Sequence, residues 1–82
     1  MPDDRAIVLT LPPDPQLTTV AAVAVRAAAR QVALVEAEID RLRAAVTDAF
    51  LAQATNGEEP IRISLHPDQG RMTIEVGSTV IE

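Results

Sequence analysis

The stretch LRAAVTDAFLAQAT, Leu42 to Thr55, places one carboxylate, Asp48, between two short apolar runs. An acid flanked in this way reads as buried, and a buried acid on a helix could serve as a general base, because desolvation raises its affinity for a proton. The rest of the chain supplies little to complete a site. His66 is the single histidine. On an alternating strand it shares a face with Arg62 and Ser64 and reads as an exposed polar residue. Without cysteine or a second histidine, no metal-ligand spacing arises. Ser64, Ser78 and the threonines lack a base to activate them. Arg26 and Arg30 share one helix face and read as a solvated or salt-bridged edge, and Glu58-Glu59 as a charged loop.

The elements that would have to position these groups belong to one small domain of 82 residues. A chain near this length buries only about 60% of the surface its unfolded form exposes, so a monomer is marginal. Hydrophobic residues make up 48% of the chain, yet Phe50 is the only aromatic. The core must therefore come from Ala, Val, Ile and Leu, and association with another copy is the natural way to bury more. Seven Arg, no Lys and 12 acids give a net charge of −5, which argues against nucleic acid as a partner. The longest apolar run, Val20 to Val25, falls far short of the roughly 20 residues a membrane span needs. The amino terminus MPDDR lacks the features of a signal peptide. A cytoplasmic protein is the plain reading.

AIVLTL alternates as a half-buried strand over residues 6–11, and PPDP ends it. Asp14 then suits a helix N-cap with Pro15 at the first helical position. The chain carries no Gly or Pro from Gln16 to Thr55. The patterning predicts a helix over 15–32, apolar nearly all round, and a second over 36–54 with Ile39, Leu42, Val46, Ala49 and Phe50 on one stripe. NGEEP stops the second helix. IRISLH and RMTIEV then alternate around PDQG, predicting a hairpin of strands 61–66 and 71–76 about a type I turn. With those four residues as the loop, Leu65 faces Met72, Ile63 faces Ile74, Ile61 faces Val76, and Arg62 lies opposite Glu75. GSTVIE closes the chain as a tail or short extra strand. The expected architecture is α+β, in the order β-α-α-β-β, with two helices on a small, mostly antiparallel sheet.

The heptad-like stripe at positions 21, 25, 28, 32, 35, 39, 42, 46 and 49 runs unbroken through the place where the helices should part. One continuous helix is the alternative, and at about 1.5 Å per residue it would force an intertwined dimer. Proline at Ala33 is expected to be tolerated moderately well in a two-helix chain and costly in a continuous helix.

AIVLTLPPDPQLTTVAAVAVRAAARQ, EIDRLRAAVTDAFLAQA and IRISLHPDQGRMTIEV together resemble the first part of the bacterial anti-sigma-factor serine kinases, small ATPase domains of the histidine-kinase-like (GHKL, Bergerat) fold. The resemblance covers about Ala6 to Val76, roughly the front half of the family domain. The family motif, hydrophobic-Ala-Val-Ser-Glu-Ala-x-x-Asn-Ala, reads here as Ala45-Val46-Thr47-Asp48-Ala49-Phe50-Leu51-Ala52-Gln53. The resemblance places Asp48 where the family's Glu activates the attacking group, and Ala52 where its Asn holds magnesium. Ser78 and Val80 fall where the family's adenine-reading Asp-x-Gly would stand, and the nucleotide lid and second glycine motif have no counterpart. Asp48 and Ala52 are thus expected to be vestigial, with no catalysis, no cofactor and no metal.

Family domains of this kind dimerise and grip sigma factors and their antagonists near the first helix and strand. The resemblance therefore implies a regulatory homodimer whose contact surface includes Val20, Val23, Ala24, Ala27 and Arg30, with a sigma factor or antagonist protein as a further partner. The alternative it leaves open is a residual ATP-binding, serine-kinase-like domain completed by a partner.

Overall fold

The computed structural model describes residues 6–68 and 70–81. The amino-terminal MPDDR and Gln69 of the expected PDQG turn lie outside them. β1 (Ile7–Leu11) leads through a 3-10 turn (Pro15–Leu17) into α1 (Thr18–Gln31), followed by α2 (Glu36–Asn56), β2 (Ile61–Asp68), β3 (Arg71–Val76) and β4 (Thr79–Ile81). The fold is α+β: two helices lie on one face of a four-stranded antiparallel sheet of order β1-β2-β3-β4. The fourth strand comes from the closing GSTVIE. Among the described residues no helix is long and apolar enough to cross a membrane.

Asp14 caps the first turn, its carboxylate accepting from the Gln16 backbone N–H at 2.9 Å. Pro15 then starts the 3-10 turn, where its missing donor is not needed. The expected helix over 15–32 is thus a 3-10 turn followed by a shorter α-helix.

The two helices part within residues 32–35, and the uninterrupted apolar stripe does not become a single helix. Ala33 adopts φ 54°. Its N–H donates to the Arg30 carbonyl and that of Leu34 to the Ala29 carbonyl, each at 3.4 Å. These two bonds close a Schellman motif, which normally places Gly at the left-handed position. Val35, one of the stripe positions, is 70% exposed. The expectation that proline at Ala33 is tolerated is corrected here. Proline demands φ near −65° and has no N–H, so it conflicts with both features of this turn.

The hairpin forms two residues away from the expected register. Ile63 pairs with Val76, Leu65 with Ile74, Pro67 with Met72 and Asp68 with Arg71. β2 therefore extends through Pro67 to Asp68 and β3 begins at Arg71, with Gly70 before it at φ 64°. Glu75 lies opposite Ser64 rather than Arg62, and Arg62 pairs with Thr10 of β1 instead. A shift of two keeps every side chain on its face, so the apolar alternation fits either register. Among the described residues, β1 pairing reaches Leu65 and Pro67 lies beyond it.

The inward sheet residues Ile61, Ile63, Leu65, Met72, Ile74 and Val76 meet Ala21, Val25, Ala28 and Ala29 of α1 and Ile39, Leu42, Val46, Phe50 and Ala54 of α2. Phe50 is fully buried. Gln53 ties the end of α2 to the last hairpin, its Nε2 donating to the Val76 carbonyl at 2.6 Å. Gly77, at φ 60°, opens the β3–β4 turn directly against that amide; a Cβ there would sit 2.1 Å from Gln53 Oε1.

Candidate interaction surface

α1 presents two faces of different chemistry. Ala21, Val25, Ala28 and Ala29 recur at helical spacing and are buried, and their small volume lets the helix sit close to its neighbours. The opposite face carries Val20, Val23, Ala27 and Arg30, all exposed. Val20 is 43% and Val23 60% exposed. Ala24, expected on this surface, is instead half-buried against the core. Arg26 and Arg30 enter no ion pair among the described residues. Since no acid occurs from Thr18 to Val35, α1 is a cationic, partly apolar element in an acidic protein.

Asp48 is exposed on α2, which corrects its reading as a buried acid. The inward stripe of α2 is Ile39, Leu42, Val46, Phe50 and Ala54, and Asp48 lies about 200° round the helix from Val46. Ala52 is exposed as well. A shallow cleft of about 850 Å³ is lined by Gln53, Asn56, Glu58, Glu59 and Gly77 among others. A second, of about 540 Å³, lies between Ile7, Gln31, Val32 and Pro67. Asp48 and Ala52 line neither. The outward face of α2 is Ala37, Asp40, Ala44, Asp48 and Leu51, with Leu51 42% exposed. Nearer its start, Arg41 donates two hydrogen bonds to Glu38. This contact holds the Glu38 carboxyl below its ordinary value and raises that of the Arg41 guanidinium. Glu36 and Glu38 also complement the positive end of the helix.

The open face of the sheet mixes polar side chains with exposed Val8 and Val80. Val8, Arg62, Ser64, His66 and Glu75 border a shallow depression there. His66 Nε2 stands 3.3 Å from Glu75 Oε1, with both side chains well exposed. This pair escaped the sequence reading because the two-residue register change moved Glu75 away from Arg62. Ser64 is only 7% exposed and sits on the same face, but no hydrogen bond joins it to His66, so the three do not form a nucleophilic relay. Among the described residues no group of three His, Cys, Asp or Glu could hold a metal ion.

Comparisons with protein-family models, curated proteins and solved structures give no match.

Proposed function

We propose that this chain is a non-catalytic protein–protein interaction module, a regulatory homodimer of the cytoplasm related to the anti-sigma-factor kinases its sequence resembles. The observation that carries the reading is the outward face of α1, where exposed Val20, Val23 and Ala27 sit beside Arg26 and Arg30, cations with no ion pair among the described residues. Isolated apolar residues are common on protein surfaces, but a contiguous patch on one helix is typical of an association surface. In a domain this small, covering the patch adds to a core that contains a single aromatic ring. A sigma factor or its antagonist would compete for the same face, an assignment that rests on analogy with the resembled family. The rival reading, an ATP-binding kinase domain completed by a partner, draws no support from Asp48 and Ala52, which face solvent.

Size-exclusion chromatography with light scattering tests the homodimer. At micromolar concentration the protein is expected at twice the chain mass of 8.7 kDa. Val23→Asp is expected to run as a monomer with an unchanged circular dichroism spectrum, because Val23 lies outside the buried core and surface changes of this kind alter stability by only about 0.5 kcal/mol. A wild-type monomer at that concentration contradicts the reading.

A further inference from the structure

The outward faces of α1 and α2 differ in charge and match in spacing. α1 carries Arg26 and Arg30 around Ala27 with no acid, while α2 carries Asp40 and Asp48 on either side of Ala44, with exposed Arg41 and Arg43 beside them paired to Glu38 and Asp40. The short connection between them makes the helices antiparallel neighbours, so positions can be counted from the turn they share. Val23 stands eight residues before Gln31 and Ala44 eight residues after Glu36. Ala27 and Asp40 are each four residues from those same ends, and Thr19 and Asp48 are each twelve.

We propose that the homodimer forms helix layer to helix layer, with α1 of each copy lying on α2 of the other; this rests on the self-association proposed above. Val23 then packs on the partner's Ala44, a small residue that lets the helices approach. Arg26 and Arg30 bracket the partner's Asp40, and the Thr19 hydroxyl comes level with the partner's Asp48. Asp40 is 65% exposed and shares a long, exposed ion pair with Arg43 at 3.4 Å, which the partner's arginines would join or displace.

A two-fold axis can bring these faces together in two ways. An axis along the helices gives the arrangement above. An axis across them stacks α1 on α1 and α2 on α2, and centring the α2 pair on Ala44 sets each Asp40 against the other copy's Asp48. Like charges directly opposed disfavour the second arrangement. The broad face of the molecule measures 35 by 30 Å, enough for the roughly 800 Å² per partner of a standard interface.

Two measurements on the full chain test this pairing. In sedimentation equilibrium, Arg26→Asp with Arg30→Asp is expected to weaken association about tenfold or more, and adding Asp40→Arg to restore most of it. The native chain has no cysteine, so engineered pairs report geometry directly. Val23→Cys combined with Ala44→Cys should form a covalent dimer on oxidation, while either substitution alone should not. Covalent dimers from Val23→Cys alone would overturn the proposed pairing and leave self-association standing. So would a wild-type dimer indifferent to the charge reversals. A wild-type monomer would overturn both.

Discussion

Phe50→Ala is expected to remove a large share of the protein's stability. The ring is fully buried and is the largest of the core side chains. It reaches inward from the carboxy-terminal half of α2 with Leu42 and Val46 on its own helix and Val25, Ile63, Leu65 and Ile74 in the same cluster. Its neighbours are aliphatic and already packed, so they would fill the space only in part. Truncation of a buried Phe costs about 3–5 kcal/mol, and a domain of this size has only about 4–12 kcal/mol in total. Phe50→Leu keeps most of the volume and should cost less than about 1.5 kcal/mol. Urea unfolding followed by circular dichroism reads both. An alanine variant within about 1 kcal/mol of wild type would mean that the ring is not the centre of the core.

Substitutions at Ala33 are expected to act in opposite directions. Ala33→Pro forces a φ near −65° where the chain has +54°, and it removes the donor to the Arg30 carbonyl. The cost should be about 3 kcal/mol or more. Ala33→Gly removes the Cβ from a left-handed position and should stabilise the fold by about 0.5–1 kcal/mol, raising Tm by several degrees. The glycine variant separates two helices from one, since Gly inside a continuous helix would lower stability by about 1 kcal/mol. A fall in Tm with glycine would contradict the turn.

That turn was hidden from the sequence because Ala33 occupies a position where Gly is the usual marker. The apolar stripe also ran on through Val32 and Val35. The strands were legible in face but not in register. Ile63, Leu65, Ile74 and Val76 point inward in both alignments, and the position of Gly70 suited a four-residue loop as well as the pairing of Asp68 with Arg71 that forms. Asp48 was misread from the short apolar runs on either side of it in sequence. Its helical neighbours Ala44 and Ala52 are exposed, and counting the phase from Val46 places all three on the outer side. Val20, Val23, Ala24, Ala27 and Arg30 came from the family resemblance rather than from helical phase, and phase explains why Ala24 turns far enough inward to pack. The charge match between α1 and α2 needed the fold. It depends on knowing where the chain reverses, and that fixes which residues stand level.

The central claim is that the outward helix face is covered by a second copy, so that association and folding are linked. Thermal unfolding at two protein concentrations about a hundredfold apart measures this most directly, because a dimer that unfolds to monomers gains stability by mass action. Tm is expected to rise by several degrees with concentration in the wild type and to stay constant in Val23→Asp. A wild-type Tm that does not move with concentration, at the same value as Val23→Asp, would contradict the account.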